Sequence, residues 1–339
     1  MIIRFLLLPL LCLYCFSAFA EQQTNVALFY GVNPPLAELR AFDVAVVDPD
    51  AANITPENYN TKDHALFAYA SIGEVHPTKP YFAAIPKTWL QGSNTAWASR
   101  VIDQSAPEWP SFFADHVIAP LWAKGYRGFF LDTLDSYQLF AKTPEQRQRQ
   151  EAGLKNTIRE LKKRWPEAKL IFNRGFEVLP ELHDVAWMVA IESLYQGWDA
   201  QQQQFKAVST NDQTWIKKQA EIVKQQYHLP VLMIDYVAAK DRPLARETAG
   251  KIRADGYIPW VSTPNLDMLG VGNIEVLPRK VLIIYNPAES PDLHYADGQR
   301  FLSAPLAYLG LSIEYLPFNS KLPTQPLTGR YAGIISWIN

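Results

Sequence analysis

Eight short apolar runs recur along the first three quarters of the chain, and a polar or helical stretch follows each one. Some are apolar throughout, as in Val44–Val47 and Val231–Ile234, which is typical of parallel strands buried on both faces. Eight strand–helix repeats over about 240 residues favour a (β/α)8 TIM barrel of the α/β class. A doubly wound open sheet is the alternative, but no glycine-rich phosphate loop follows the first run. The runs are Val26–Gly31, Asp43–Asp48, Ala65–Gly73, Gly128–Asp132, Lys169–Asn173, Trp187–Ser193, Pro230–Tyr236 and Gly256–Ser262.

Helix boundaries can be placed between these runs. Thr143, Pro144 and Gln146 form a capping-box start with proline at the first helical position. Asp241 can cap the helix before the last run, and Gly256 can end it. Both helices are therefore predicted to cover the outside of the barrel.

The first 20 residues have the pattern of a cleaved secretory signal peptide, with an apolar run at Phe5–Phe16 and a cleavage site at Ala18–Ala20. Cys12 and Cys15 are the only cysteines of the chain and lie in this segment, so the mature chain has no disulfide and no thiol nucleophile. The formal net charge of -2 gives no basic excess for nucleic acid or anionic lipid. We expect a periplasmic protein that does not insert into the membrane once the signal is removed.

The pattern changes after Pro264. A linker at 265–279 precedes a buried strand at Lys280–Tyr285, a helix at Tyr295–Leu309 and two further strands. This tail has the order of a second, incomplete α/β unit of the flavodoxin or Rossmann type, which either belongs to something longer or packs on the barrel. The predicted divisions are a signal at 1–20, a barrel at 21–264, a linker at 265–279 and a partial α/β domain at 280–339.

Carboxylates stand at the ends of five of the eight runs. Barrel enzymes place catalytic groups at the carboxyl ends of their strands, and a ring of buried acids costs free energy unless it is used. Only Arg174 is near in sequence to offset it. The strand-end residues are Tyr30, Asp48, Glu74, Asp132 with Asp135, Asn173 with Arg174, Glu192, Asp235 with Tyr236, and Trp260 with Ser262.

Such a ring suits acid–base chemistry or metal binding. No histidine stands at a strand end, so we expect no metal or other cofactor, although a metal-dependent hydrolase with an all-oxygen Mg²⁺ or Ca²⁺ site is an alternative. Glycoside hydrolysis fits better, because two carboxyls flank the scissile bond and aromatic faces stack on sugar rings. The long connections Val75–Trp109 and Leu194–Asn211 are rich in tyrosine and tryptophan, which predicts that they build the substrate cleft.

The segment Gly125–Asp135, GYRGFFLDTLD, is more specific. It resembles the strand-four signature of the endo-α-1,4-polygalactosaminidases, glycoside hydrolase family 114, and Ala68–Glu74, Ile171–Gly175 and Val189–Tyr195 support the resemblance. The resemblance spans all eight runs. It implies an endo-acting, retaining hydrolase of α-1,4-linked polymers rich in galactosamine and N-acetylgalactosamine.

The family's strand-four aspartate and strand-six glutamate correspond to Asp132 and Glu192, and the resemblance implies that this pair is catalytic. By analogy with other α-galactoside barrels we assign Asp132 as nucleophile and Glu192 as acid/base, while the reverse order of roles stays open. The expected partners are a cationic galactosamine-rich polysaccharide, which an acidic cleft would attract, and other exopolysaccharide-export proteins. A non-catalytic scaffold of an export system is the alternative function. The expected substrate-binding residues are Tyr30, Asp48, Tyr69, Glu74, Asp135, Asn173, Tyr195, Trp198, Asp235, Tyr236 and Trp260.

Overall fold

A nearly closed barrel of eight parallel strands forms the centre of the molecule. The structure is a computed structural model and describes residues 24–50, 54–290, 292–321, 327 and 330–338, so the predicted signal peptide lies outside the described residues. Neighbouring strands of the barrel follow one another in chain order. The strands are β1 (Val26–Phe29), β2 (Val44–Val47), β3 (Ala65–Ser71), β4 (Gly128–Asp132), β5 (Lys169–Asn173), β6 (Met188–Glu192), β7 (Val231–Tyr236) and β8 (Ile258–Ser262).

The structure confirms the prediction that the eight apolar runs are the strands of a barrel. All the side chains of β1 and β2 are buried, as are those of β8, which is why these strands show no alternation of polar and apolar residues. Just beyond the ends of β1 and β8, the backbone N–H of Tyr30 donates to the carbonyl of Leu266 at 2.6 Å. The barrel prediction is confirmed, and the open doubly wound sheet is wrong.

Helices surround the barrel, and the two with sequence-level caps begin where predicted. The Thr143 hydroxyl accepts from the backbone N–H of Gln146 at 3.2 Å, and Asp241 accepts from that of Leu244 at 3.2 Å. No helix within the described ranges is both long and apolar enough to cross a lipid bilayer. The α-helices are Leu36–Leu39, Pro56–Tyr59, Trp109–Phe113, Ala119–Ala123, Pro144–Arg164, Leu179–Leu182, Thr210–Gln226, Arg242–Ala254 and Asp297–Tyr308, with a π-helical segment at Ala114–Ile118 and 3₁₀ turns at Phe82–Ala84, Lys87–Trp89, Ser136–Leu139 and Leu293–Tyr295.

The two long connections fold into small antiparallel sheets rather than open loops. The first contains three strands, Glu74–Val75, Leu90–Asn94 and Ser99–Ile102, and the second is a hairpin of Gln196–Asp199 with Gln204–Ala207. Backbone hydrogen bonds within each sheet give these connections a defined shape next to the barrel mouth.

After β8 the chain forms a second, smaller sheet. Strands β9 (Lys280–Tyr285), β10 (Ser312–Pro317) and β11 (Gly333–Trp337) pair in parallel in the order β10-β9-β11. The helix Asp297–Tyr308 connects β9 to β10, so the tail has the expected β-α-β order. The division of the chain into domains stays a prediction.

Candidate active site

The carboxyl ends of the barrel strands open into a cleft with a volume of about 1100 Å³. Its walls carry six carboxylates but three lysine or arginine side chains, so negative charge is in excess. A cleft of this kind raises the local concentration of cationic ligands. The charged residues of the walls are Asp48, Asp50, Glu74, Asp132, Asp135, Glu192, Lys79, Lys124 and Arg174.

Five side chains at the base of the cleft form what we call the carboxylate network. Asp132 accepts from the Tyr69 hydroxyl and from the Asn173 amide, each at 2.7 Å. Glu192 accepts from the same Asn173 nitrogen at 2.7 Å and from the Tyr236 hydroxyl at 2.6 Å. All four carboxylate oxygens of the pair therefore have a donor.

The shared amide nitrogen fixes how far apart the two carboxylates can be. Each contact to Nδ2 is 2.7 Å, so Asp132 Oδ1 and Glu192 Oε1 stand at most twice that distance, 5.4 Å, apart. Two unit charges about 5 Å apart repel by about 3 kcal/mol at an effective dielectric constant of about 20. The donors of the network offset part of this repulsion.

The network also determines the protonation of its members. Burial, followed by the nearby charge of Glu192, raises the pKa of Asp132 to about 6, although the bonds from Tyr69 and Asn173 act in the opposite direction. Burial and the adjacent carboxylates hold the pKa of Tyr69 and of Tyr236 well above the usual range. Both phenols therefore stay protonated and act as donors.

The residue after each central member of the network has a left-handed backbone. Thr133 follows Asp132 with φ of 64°, Arg174 follows Asn173 with φ of 60°, and Ser193 follows Glu192 with φ of 63°. Non-glycine residues rarely adopt this conformation, and it is found where surrounding structure imposes it. At Thr133 the hydroxyl supports the turn, since it donates to the carbonyl of Asp132 at 2.6 Å and accepts from the N–H of Gly73 at 2.9 Å.

A second group of charges, which we call the rim, lies on the wall of the cleft at Asp48, Asp50 and Lys79. The Lys79 ammonium is 2.6 Å from Asp50 and 3.9 Å from Asp48. These side chains are 24% to 51% exposed, so water and salt screen their charges. Lys79 belongs to the first long connection and thereby ties it to the loop after β2.

Most predicted site residues line the cleft. Asp135 is among them, and burial raises its pKa. The rings of Tyr30 and Tyr69 are 5.1 Å apart. The predicted residues that the structure brings to the cleft are Tyr30, Asp48, Tyr69, Glu74, Asp132, Asp135, Asn173, Glu192 and Tyr236.

Glu74 is a cleft residue whose carboxylate is already occupied. It is 4% exposed and accepts from Asn94 at 3.1 Å, from Ser136 at 2.5 Å and from Ser99. Its side chain therefore fastens the first long connection to the loop after β4, because three donors in two separate segments meet on it.

Asp235 does not lie in the cleft, and we correct its assignment from a substrate ligand to a structural anchor. The side chain is fully buried and accepts from the backbone N–H groups of Leu194, Tyr195 and Gln196, each at 2.7 Å. Burial raises its pKa to about 6 even though these three donors favour the charged form. Asp235 thus fixes the backbone of the segment that follows Glu192.

Three predicted stacking aromatics also lie elsewhere, which corrects the assignment of Trp260, Tyr195 and Trp198. Trp260 is fully buried and packs against Phe42. The Tyr195 hydroxyl bonds Asp255 and accepts from Lys217 at 2.9 Å on the helical side of the barrel. Trp198 packs on Phe205 within its own hairpin, with ring centres 4.8 Å apart. None of the three lines the cleft.

The first long connection supplies cleft residues that were not assigned from the sequence. Tyr81 and Trp97 line the wall, and Trp97 is 59% exposed, which leaves its ring free to stack. The signal for both was the aromatic content of this connection. His116 and Lys124 also line the cleft, and they come from a helical segment between β3 and β4 for which the sequence showed no sign of a site.

The network presents two carboxyl groups, phenol donors and a polar wall. Among the residues that the structure describes, no cluster of three His, Cys, Asp or Glu side chains is placed to hold a metal ion. Two carboxyls this close are able to act together, one as nucleophile and the other as proton donor and acceptor.

A (β/α)8 barrel with two adjacent carboxylates at the base of an acidic, aromatic-lined cleft has the architecture of a glycoside hydrolase. The sequence model of glycoside hydrolase family GH114 matches residues 16–277. The chain belongs to this family, and it is a glycoside hydrolase of the polygalactosaminidase type.

Three proteins illustrate the similarity. The glycoside hydrolase domain of PelA from Pseudomonas aeruginosa is 39% identical, with a TM-score of 0.68 over 74% of this chain and 99% of that domain. Aspergillus fumigatus Ega3, solved in complex with galactosamine, is 13% identical with a TM-score of 0.53 over 72% of this chain and 91% of its own, and it shares the fold. An uncharacterized protein of Deinococcus radiodurans is 24% identical over 250 residues, which are 67% of this chain and 75% of that protein.

Proposed function

We propose that this chain is a periplasmic, endo-acting hydrolase of α-1,4-linked exopolysaccharide rich in galactosamine and N-acetylgalactosamine, the Pel type of polymer. Catalysis is by a retaining mechanism with Asp132 as nucleophile and Glu192 as acid/base. The observation that carries the proposal is the Asn173 nitrogen that contacts both carboxylates. The signal-like pattern of residues 1–20 supports the periplasmic location.

The spacing of the pair supports retention of configuration. Retaining glycosidases hold their carboxyls about 5–5.5 Å apart, whereas inverting pairs need about 6.5–9.5 Å to admit a water molecule. The facing oxygens of Asp132 and Glu192 are at most 5.4 Å apart. This bound lies in the range of retaining pairs, and the Asn173 amide nitrogen already stands between the two oxygens.

The reaction proceeds in two steps. Asp132 attacks the anomeric carbon while Glu192 gives its proton to the departing glycosidic oxygen, so the C–O bond breaks and a glycosyl ester on Asp132 forms. Glu192 then takes a proton from water, whose oxygen attacks the same carbon and releases Asp132 as a carboxylate. With a pKa of about 6, Asp132 is mostly ionised at pH 7 and ready to attack.

The charge of the cleft supports a cationic sugar. Deacetylated galactosamine carries an ammonium group, and the walls hold six carboxylates against three basic side chains. The Ega3 structure, which has the same fold, contains galactosamine. Exposed Trp97 offers a ring face to a sugar, and Tyr30 and Tyr69 line the same cleft.

The test is the release of reducing ends from a partly deacetylated galactosamine polymer. Wild type should release them with and without EDTA, and Glu192→Gln should not. Glu247→Gln makes the same change on an outer helix, where Glu247 pairs with Lys251, and should keep wild-type activity.

Other outcomes would contradict the proposal. A wild-type protein that binds the polymer and never cleaves it would be a scaffold of an export system. Activity that disappears in EDTA and returns with a divalent ion would identify a metal-dependent hydrolase. Cleavage restricted to chain ends would contradict the endo-acting mode.

A further inference from the structure

We propose that Asn173 is a positioning residue that sets the spacing of the two reacting carboxylates and keeps both oriented toward the sugar, rather than a ligand of the substrate. This inference rests on the proposed roles of Asp132 and Glu192. It revises the expectation from the sequence, in which Asn173 binds the polysaccharide.

The first observation that supports this role is the pair of hydrogen bonds that the amide donates. Asn173 Nδ2 has two protons, and it stands 2.7 Å from Asp132 Oδ1 and 2.7 Å from Glu192 Oε1. Both protons are therefore used within the protein. The residue is 7% exposed, so little of it is left for a ligand to contact.

The second observation is the orientation of the amide. Within the described residues, the buried Asn173 Oδ1 has no hydrogen-bond partner. An unpaired buried carbonyl is unfavourable, yet flipping the amide would point that oxygen at two carboxylates. Electrostatic repulsion therefore locks the amide with its nitrogen toward Asp132 and Glu192, so it acts as a spacer with one stable orientation.

The third observation concerns the backbone, which leaves Asn173 little freedom to move away from the two carboxylates. Asn173 pairs with Ala190 in the neighbouring strand β6, and the N–H of Arg174 donates to the Ala190 carbonyl at 2.8 Å. Ala190 is two residues before Glu192 on that strand. The amide and the glutamate are thus mounted on one rigid piece of sheet.

The side-chain type fits this task. An uncharged amide donates two hydrogen bonds from one atom without adding charge, whereas an aspartate of the same shape would add a third negative charge and remove both donors. Tyr69 and Tyr236 each donate to one carboxylate of the pair. Asn173 is the member of the network that contacts both. Tyr30 and Asp135 also interact electrostatically with the pair. Asp48, Glu74 and Arg174 line the walls of the same cleft.

The first experiment needs no substrate. Carboxyl-¹³C aspartate labelling, with Asp132→Asn to assign the signal, reports the titration of Asp132 by NMR. Asn173→Ala should raise the Asp132 pKa by about one unit because a donor to the carboxylate is lost. Asn173→Leu, which keeps a branched side chain of similar size but has no donor, should do the same and serves if the alanine variant does not fold.

Asn94→Ala is the matched control. It removes an amide that bonds a carboxylate of the same cleft, since Asn94 donates to Glu74 at 3.1 Å. The titration of Asp132 should not move in this variant. An unchanged Asp132 titration in both Asn173 variants would overturn the inference.

Kinetics distinguish positioning from binding. In Asn173→Ala, kcat should fall at least tenfold and the acid limb of kcat/KM should move to higher pH. A rise in KM with kcat and the acid limb unchanged would mean that Asn173 binds substrate, and the inference would be wrong. If wild type releases no reducing ends, the proposed function fails, while the NMR comparison still decides the role of Asn173.

Discussion

The carboxylate network and the rim hold charge in the same cleft by opposite means. At the network every oxygen of Asp132 and Glu192 accepts a hydrogen bond. At the rim, Asp48, Asp50 and Lys79 are partly exposed and joined by ion pairs. Buried, hydrogen-bonded charges are screened little, whereas exposed ion pairs contribute little and weaken in salt. The network is therefore suited to chemistry, and the rim to long-range attraction.

The largest effect should come from removing the proposed nucleophile. Asp132→Ala should lower kcat by roughly 10³-fold or more, because no carboxylate remains to form the glycosyl ester. Azide should restore turnover of an activated α-glycoside and give the β-glycosyl azide, since the anion attacks from the vacated side. An α-glycosyl azide would assign Asp132 as acid/base and reverse the roles.

A smaller loss is expected when one donor to the network is removed. Tyr69→Phe deletes the hydroxyl that donates to Asp132 at 2.7 Å, and a hydrogen bond to a charged group is worth about 1.5–3 kcal/mol. We expect kcat/KM to fall roughly 10- to 100-fold and its acid limb to move to higher pH. Tyr257→Phe removes a hydroxyl that donates to a different carboxylate, Glu221 at 3.2 Å, away from the cleft. It should move neither quantity, and a shift in both variants would break the distinction.

The same buried charge should cost stability. Because the pKa of Asp132 is raised to about 6 in the folded protein, against about 3.9 when unfolded, folding binds a proton between these values and the carboxylate destabilises the fold above pH 6. Asp132→Asn should increase the free energy of unfolding by about 1–3 kcal/mol at pH 7–8.

That gain should shrink toward pH 4, where Asp132 is protonated in the folded protein and increasingly so in the unfolded chain. Urea unfolding at several pH values measures it. Asp115→Asn, at an exposed carboxylate paired with Arg164, should give no stabilisation. If both variants changed the free energy of unfolding equally, burial of the Asp132 charge would cost no more than exposure of a charge at the surface.

The rim should give the smallest and most salt-sensitive effect. Lys79→Met removes the cation that lies 2.6 Å from Asp50 and frees the rim carboxylates for a sugar ammonium. Deacetylated oligomers should bind a few-fold tighter at low salt, and roughly 1 M salt should abolish the difference. Fully acetylated oligomers are the control, and an equal gain for them would remove the electrostatic role of the rim.

The fold was largely predictable because burial on both faces leaves a simple pattern. Strands β4 and β5 have the predicted bounds, and the other barrel strands differ from theirs by one or two residues at their ends. Parallel strands of a barrel end at one mouth, which is why Asp132, Asn173 and Glu192 could be expected together. The hydrogen bonds that they share could not be predicted from the sequence, because these bonds depend on side-chain placement within an ångström.

The misassigned residues show that a position at the end of a barrel strand does not by itself place a side chain in the cleft. Asp235 and Tyr236 are adjacent in β7, and successive side chains of a strand point to opposite faces. One of them was bound to leave the cleft, and it is Asp235 that turns to the backbone after Glu192. The two long connections had similar aromatic content, but the first lines the cleft with Trp97 and the second folds onto itself around Trp198. Composition does not determine the direction in which a connection folds.

The left-handed residues after Asp132, Asn173 and Glu192 bear on any attempt to transplant this centre into a designed barrel. The unit to copy is the dipeptide: Asp132 with Thr133, Asn173 with Arg174, and Glu192 with Ser193. A graft that copied the three side chains onto strands with ordinary backbone ends would aim them along different directions, and errors of about 0.5 Å are enough to spoil a constellation of this kind. A designer would therefore build the three turns first and choose the functional groups second.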